Sequence, residues 1–581
     1  MNTIRLGTQS EPRKAVDIPT DSFATHYHLI GGTGKGKTTA IQTMLQQLLI
    51  DPFDCDCHII FDRLGGMSSD LLLWMASDFC TEEARRRLVY IEPANEEYVL
   101  GFNPLLYQSD GEGYYKVQRA TEIILRAWES TNIEAMPRLA RWTFNAFWAA
   151  AQLGLTIADC VHFLLPGSPY FNPLLAQLPP RLRFEWAELI DARGSEVVRI
   201  LESTRNRLKP YFKSNILRRM FGSTESRLDV GRFMRGGKIV VLNLAPKGRL
   251  SSQLADTIGA LILNEVFAVA RSLPLDERYT TYLWLDEFQN FVGPDIESAL
   301  PEVRQLALRL ILSHQSLSQL VRGDHDLTNM IYQAQSRMIF GVQGPDADEL
   351  AHELASITFD PMRVKEENYV RRQRLVGHEI RLLNSWTDGE SEANNWNKTF
   401  GDGWTTSHNV SHGLVGDTKS DGSGQSAHQG RGEGGSHGHS RSHGMTEHMV
   451  PVHEDYLELA NRVFSMFDEQ KHGWASKVRR LKRGQCVLRR VDDDEPCTVD
   501  VERSTPGHLA WDYRMLKAEF PQAIEDVARL MKENFQSDLF VSPERSERES
   551  SRRLESVLQI TLPAPMPDAV YAQSSSGDPF S

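Results

Sequence analysis

One stretch of eight residues constrains this chain more than any other: Gly31-Gly-Thr-Gly-Lys-Gly36-Lys37-Thr38. It fits G-x-x-x-x-G-K-[ST], and each position has a physical reason. Glycines let backbone N–H groups curl around an oxyanion with no Cβ in the way. A helix that opens immediately afterwards aims its N-terminus at the same anion. Lys37 supplies a point charge to the outer phosphates, and Thr38 offers a hydroxyl to Mg2+. A Gly-rich turn can match this pattern by chance. Here the motif follows the apolar run His26–Ile30 and opens the helical pattern Lys37–Leu49, which is the context a phosphate loop needs. Gly31, Gly32, Thr33, Gly34, Lys35, Gly36, Lys37, Thr38 and Thr39 are therefore the candidate nucleotide-binding residues.

A phosphate cradle that does chemistry needs a metal-holding acid and a base for the attacking water. Tyr282-Leu-Trp-Leu-Asp286-Glu287 is an apolar strand ending in two carboxylates. Asp286, with Thr38, is the expected Mg2+ holder, and Glu287 the expected base. Acidic residues at strand ends are common, so the pair gains its meaning from the upstream loop.

Short apolar runs recur at His58–Asp62, Arg87–Ile91, Lys238–Leu244, Leu308–Ser313 and Met338–Val342, with helical patterns between them. Strands alternating with helices point to an α/β fold with a mainly parallel sheet covered on both faces. The reading divides the chain into a first part of the core (1–112), a helical insertion (113–225) and a second part of the core (226–383). A Gly/Ser/His-rich loop or linker (384–450) follows, then strands completing the core (451–510), opened by a short helix at Tyr456–Phe467. A helix and flexible tail close the chain (511–581). The linker has too few apolar residues to offset its ordering entropy. His437, His439 and His443 within it read as solvated residues, not as a metal site.

Bulk numbers set limits on function. Lys and Arg total 64 against 77 Asp and Glu, a net charge of −13, so the chain lacks general affinity for phosphate backbones and any nucleic-acid contact must be local. Two basic clusters qualify: Arg205, Arg207, Lys209, Lys213, Arg218 and Arg219 around Tyr211 and Phe212, and Lys477, Arg479, Arg480, Lys482 and Arg483. Solvated helix faces and ion pairs explain each equally well. Six cysteines do not make a disulfide framework in a chain of this length, and the C-x-C at Cys55 and Cys57 has no second pair at zinc spacing. No window reaches the roughly 18 apolar residues of a membrane span. The expectation is a cytoplasmic protein that reaches the inner membrane only through partners.

The string LWLDEFQNF followed by PEVRQLALRLILSHQSLSQL resembles the FtsK–HerA superfamily of P-loop ATPases, and within it the TraD/TraG-type conjugative coupling ATPases and HerA-like helicases. Three further elements resemble the family: Gly101-Phe-Asn-Pro-Leu105, the span Asp324–Leu354, and LKRGQCVLRR near Cys486. The resemblance implies a RecA-like core, ATP and Mg2+ as cofactors, and a homo-hexameric ring moving DNA through its channel. It implies that Gln315 senses the γ-phosphate. It also implies that Arg304 reaches into the neighbouring subunit's site as an arginine finger, with Arg309 and Arg337 as fallbacks. Coupling proteins of the family carry N-terminal membrane helices and HerA helicases a β-barrel; Gly31 lies too early for either. Relaxase or secretion-channel proteins are the partners implied by the conjugative reading. The alternative is a HerA-like ATPase serving a nuclease or other effector in DNA end processing or anti-phage defence.

Overall fold

The structure is a computed structural model that describes residues 3–10, 12–51, 55–126, 137–191, 194–223, 225–292, 302–322, 325–392, 405–411, 418–424, 437–493, 495–503, 518 and 521–559. It consists of two compact units, Met1–Asp360 with Met466–Ser581, and Pro361–Ser465.

In the first unit the strands are β1 (Thr3–Gln9), β2 (Ala15–Pro19), β3 (Tyr27–Ile30), β4 (Cys57–Asp62), β5 (Leu88–Ile91) and the short β6 (Val99–Leu100). They continue with β7 (Ile239–Asn243), β8 (Thr281–Asp286), β9 (Leu308–His314), the two-residue β10 (Val321–Arg322) and β11 (His325–Asp326), and β12 (Ser336–Phe340). In the second unit lie β13 (Val364–Glu392), β14 (Thr405–Ser411), β15 (Thr418–Gly424) and β16 (His437–Phe464). The chain returns to the first unit with β17 (Gln485–Arg489), β18 (Cys497–Val501) and β19 (Phe540–Val541).

An 11-stranded sheet runs in the order β2-β1-β18-β17-β12-β3-β9-β8-β4-β7-β5. From β12 to β5 every neighbour is parallel, and from β17 to β2 every neighbour is antiparallel. The parallel strands read as unbroken apolar runs because helices cover both of their faces: β3, β4, β7 and β8 are buried at every residue. The helix Ser252–Ser272 is long and apolar enough by composition to cross a membrane, yet it lies in this core, with Ile258, Leu261, Ile262 and Val266 at most 2% exposed.

The stretch expected to be helical supplies Asp110–Arg126, Pro137–Gln152, Phe171–Gln177, Pro180–Asp191, Gly194–Lys213 and Asn215–Phe221. It shares the main hydrophobic core, through Phe147, Phe163, Trp186 and Phe221.

The structure adds to or departs from these expectations at three places. First, the N-terminal hairpin β1–β2 was not foreseen. Its alternation of buried and exposed residues is too short to stand out, and β1 finds its partner in β18, with Gly7 opposite Val501. Second, the segment expected to be a loop, 384–450, begins and ends inside a long antiparallel ribbon of β13 and β16. Tyr456–Phe464, expected to be a helix, is part of β16. A short amphipathic run such as Tyr456-Leu-Glu-Leu-Ala fits both periods, and the partner strand decides between them. Arg374 bonds Glu454 at 2.9 Å and Arg462 bonds Glu367 at 2.9 Å across directly opposed positions. These cross-strand pairs fix the register. The side chains of His437, His439 and His443, and residues 393–404 and 425–436, lie outside the described residues.

Third, the expected flexible tail continues as folded structure to Leu558. The helix Pro521–Phe535 brings Asn534 to the edge strand, where its side chain accepts from Tyr90 N and donates to Tyr90 O, both at 2.8 Å. The helix Pro543–Leu558, capped by Ser542, packs on the helical region. Arg553, buried with Asp159, donates to its carboxylate at 2.7 and 3.1 Å and to Gly222 O at 2.7 Å. A charged residue amid Ser and Glu reads as solvent-facing in sequence. Its burial depends on an acid 394 positions away. Removing one partner of a buried pair leaves the other charge uncompensated, at a cost of about 3 kcal/mol. Arg553→Ala is therefore expected to raise amide hydrogen exchange in Pro543–Leu558 about a hundredfold and leave β3 and β8 protected. Unchanged protection of that helix would refute the assignment.

Candidate functional site

Every parallel strand that bears on the site ends at the same edge of the sheet. β3 leads into Gly31, β9 into Gln315, β8 into Glu287 and β4 into Arg63, and in the sheet these strands are consecutive neighbours. Side chains from the carboxyl ends of adjacent parallel strands converge there, which is where open α/β sheets bind ligands.

Crowding explains two glycines of the loop, Gly31 and Gly36. A Cβ on Gly31 would stand 2.4 Å from Phe340 Cβ at the end of β12, and Gly32 N donates to Gly341 O at 3.0 Å. Gly36, with φ of 112°, has Gly484 against it: a Cβ there would meet Gly484 Cα at 3.1 Å. Gly484 N donates to Lys35 O at 2.9 Å. The turn after Leu481 thus lies directly on the phosphate loop. The sequence offered no sign of it beyond one glycine in LKRGQ. Lys35 extends along Gly341, whose missing side chain leaves its stem room.

From Gly36 the chain enters the helix Lys37–Leu49. Lys37 is buried, and its Nζ donates to Gly31 O at 2.6 Å. Burial lowers its pKa, opposed by the carboxylates of Glu287 and Asp286. Thr38 is half-buried at the first turn of the helix.

Asp286, the last residue of β8, is 7% exposed and accepts from Ser313 Oγ at 3.0 Å. Its pKa is pushed up to about 7, first by burial, then by the neighbouring carboxylates of Asp62 and Glu287. Glu287 follows in the left-handed region, with φ of 55° and ψ of 48°. A non-glycine residue is rarely held there, and the turn redirects its side chain off the strand. Gln315 Nε2 donates to Glu287 Oε1 at 2.8 Å, and Gln289 Nε2 donates to Oε2 at 2.8 Å. Both oxygens are thus fixed by carboxamides. Gln315 in turn accepts from Thr33 Oγ1 at 2.8 Å. A continuous chain of side chains therefore runs from the phosphate loop through Gln315 to Glu287.

Three residues of this site carried no sequence signal. Asp62 ends β4 and accepts from the amides of Leu64, Gly65 and Ser68 at 3.1, 2.9 and 2.6 Å, shaping the turn beside Asp286. Arg63 is bound in fork geometry to Asp256 at 2.7 and 3.0 Å, with Glu287 close enough to raise its pKa further. Ser313 serves Asp286. The strand His58–Asp62 was legible; its place beside β8 was not.

Arg304 is not in this site. It is exposed and precedes β9, near His26 at the start of β3, so it lies at the opposite end of strands about 20 Å long. The fallback candidates are committed elsewhere. Arg337 is 2% exposed and ion-paired to Glu353, and Arg309 lies 5.0 Å above the Tyr282 ring. The basic clusters are partly spent as well. Arg218 and Arg219 bind Glu547 at 3.0 and 2.9 Å, Arg479 binds Asp348 at 2.6 Å, and Tyr211 is buried. Arg480, Lys482 and Arg483 are exposed. All six cysteines are free thiols, and burial pushes Cys57 up to about 12.

Among solved structures, the chain is similar to the bacterial conjugative coupling protein TrwBdeltaN70 in its unbound monoclinic form, at 14% identity and a TM-score of 0.48 over 87% of this chain and 95% of that one. It is also similar to the plasmid coupling protein TrwB in complex with the non-hydrolysable GTP analogue GDPNP, at 15% identity and 0.48 over 88% and 97%. VirB4 of Thermoanaerobacter pseudethanolicus matches at 14% identity and 0.37 over 61% and 88%. No protein-family model matches the sequence, and no curated protein does. At these TM-scores the roles of individual residues rest on the geometry of this chain.

The raised pKa of Asp286 makes a statement about stability. A carboxyl whose pKa is higher folded than unfolded contributes stability that is complete below the ordinary carboxylate range and lost as pH rises to about 7. The melting temperature of nucleotide-free protein is therefore expected to fall between pH 5 and pH 7.5, and Asp286→Asn is expected to make that fall shallower. Parallel curves for the two proteins would show that Asp286 ionises normally.

Proposed function

We propose that the chain is an ATP-hydrolysing motor of the FtsK–HerA type that acts on DNA in conjugative or type IV secretion-like transfer. The observation that carries the hydrolase reading is the bridge Thr33–Gln315–Glu287, set beside Lys37 and Asp286. A purely structural glycine turn has no need of a buried acid pair or of a carboxamide joining it to the loop.

The residues fit a magnesium nucleotide. Lys37 is buried at the start of the helix that follows the loop, and Thr38 and Asp286 offer the hydroxyl and carboxylate that Mg2+ prefers. Bound Mg2+ would neutralise phosphate charge. Lys37 would exchange its bond to Gly31 O for the outer phosphates. Glu287, with both oxygens oriented by Gln289 and Gln315, would take the proton of the attacking water. Gln315 would report the γ-phosphate by shifting between that phosphate and its bonds to Thr33 and Glu287. The motor reading adds a ring of identical subunits with DNA in the channel. Two facts support it: the sequence resemblance, and the exposure of Arg304 on a face remote from its own site, which suits a residue that serves a neighbour.

Lys37→Ala is expected to abolish turnover. Glu287→Gln is expected to bind ATP normally and to hydrolyse it at least about a hundredfold more slowly, because the base is lost while the loop remains. Steady-state ATPase and nucleotide-binding measurements check both; near-normal turnover in Glu287→Gln would sink the assignment.

The ring is tested by mixing. Arg304→Ala is expected to bind ATP with little loss and to hydrolyse it about a hundredfold or more slowly, since a finger stabilises charge that develops in the transition state. Arg304→Ala and Lys37→Ala subunits are each expected to be inactive. Co-assembled, they are expected to regain part of the activity, because an intact loop then faces an intact arginine, and DNA is expected to raise it further. No recovery despite proven co-assembly would remove Arg304 from this role. Full activity in a strict monomer would remove the motor.

A further inference from the structure

A row of buried polar side chains crosses the sheet beneath the phosphate loop, and the proposed chemistry uses none of them. Parallel pairing sets Arg337 of β12 beside His28 of β3, and Ile30 of β3 beside His314 of β9. Alternate residues of a strand share a face, so Arg337, His28 and His314 share one. They are 2%, 0% and 0% exposed. Glu353, from the helix Pro345–Thr358, pairs with Arg337 and also takes Arg489 of β17 at 2.8 Å. His28 Nε2 lies 2.6 Å from His314 Nε2, and His314 Nδ1 lies 3.0 Å from Ser316 O.

The proton positions follow from the partners. A carbonyl only accepts, so His314 Nδ1 carries a hydrogen and donates to Ser316 O. In a neutral ring the other nitrogen then only accepts, so His28 Nε2 must be the donor between the rings. Both rings are neutral: burial lowers both pKa values, the charge of Arg337 adds to it at His28, and at His314 the charges of Lys37 and Arg337 add to it, taking that ring to about 4. His28 Nδ1 is left as an acceptor with no hydrogen-bond partner among the described residues. An orphan acceptor in a dry core costs stability, and an apolar residue would avoid it. Packing alone therefore does not account for a histidine at this position.

We propose that the His28–His314 pair is a positioning device for Gln315, a role that rests on the reading of Gln315 as the residue facing the γ-phosphate. His314 reaches past Gln315 to the carbonyl of Ser316, closing a turn around it, while Gln319 Oε1 holds the amides of Gln315 and Ser316 at 3.1 and 3.2 Å. His28 stands on the strand that leads into Gly31. The pair therefore ties the strand entering the phosphate loop to the strand entering Gln315, one layer below the bond from Thr33 to Gln315. A slip of β3 against β9 breaks both links together. Glu353 and Arg337 extend the same row to β17 and so to the turn that lies on Lys35 and Gly36.

Two near-isosteric variants separate positioning from packing. His28→Gln keeps a donor at the distance of Nε2, whereas His28→Asn draws it back out of reach of His314. Steady-state ATPase of both, in wild-type and Gln315→Ala backgrounds, reads the result. His28→Asn is expected to lower kcat about fivefold with KM for ATP within about twofold of wild type, and His28→Gln to stay within about twofold on both. In the Gln315→Ala background the three residues at position 28 are expected to give equal rates, because the pair acts only through Gln315. Equal losses in Gln and Asn, or a loss that persists in full without Gln315, would overturn the proposal. If His28→Asn does not fold, His314→Asn serves: it keeps the donor to Ser316 and loses the acceptor for His28, and the same fall in kcat is expected. Wild-type protein that hydrolyses no ATP would overturn the hydrolase reading and this role with it. Normal turnover that Lys37→Ala abolishes, with no difference between the His28 variants, would overturn this role alone.

Discussion

A single carboxamide joins the two halves of the site. Gln315 accepts from Thr33 in the phosphate loop and donates to Glu287 beyond the neighbouring strand. The rest of the first unit can be understood as what holds those three residues at the same height. Strands β3, β9 and β8 lie side by side and parallel, so their ends are aligned by a ladder of backbone hydrogen bonds. Helices on both faces exclude water from that ladder. The left-handed turn at Glu287 redirects its side chain off the strand. A polar group buried without a partner is costly, so each link in the bridge stabilises its neighbours.

Much of this was legible in sequence because it is local. The loop Gly31–Thr38, the strand ending in Asp286 and Glu287, and the strand before Gln315 are each contiguous, and their chemistry is written in consecutive letters. What escaped notice is what depends on pairing between distant segments. Gly484 matters only because its turn lands on Gly36, Asp62 because β4 lies beside β8, and Arg553 because Asp159 waits for it in the helical region. Periodicity misjudged Tyr456–Phe464 for the same reason: a stretch whose apolar residues fit two spacings takes its conformation from its partner strand.

The second unit obeys different rules. The β13–β16 ribbon has its backbone bonds satisfied across the pair, but Leu375, Ile380, Leu382 and Met449 are each more than half exposed. Such a ribbon owes its order to cross-strand pairs such as Arg374–Glu454 more than to burial. The first unit, by contrast, is stabilised by a continuous apolar core that includes the helical region.

The pairing of Gly7 with Val501 has a consequence in time. The hairpin β1–β2 leaves a ribosome long before the strand that joins it to the sheet, which is made almost five hundred residues later. At cellular rates of roughly 5–20 residues per second, that delay is on the order of a minute. Until then β12 has one open edge, and the turn carrying Gly484 is not in place over Gly36. The phosphate loop thus acquires this support only once β17 is made, and a truncated chain ending before β17 would carry every motif of the site without the backbone that braces it.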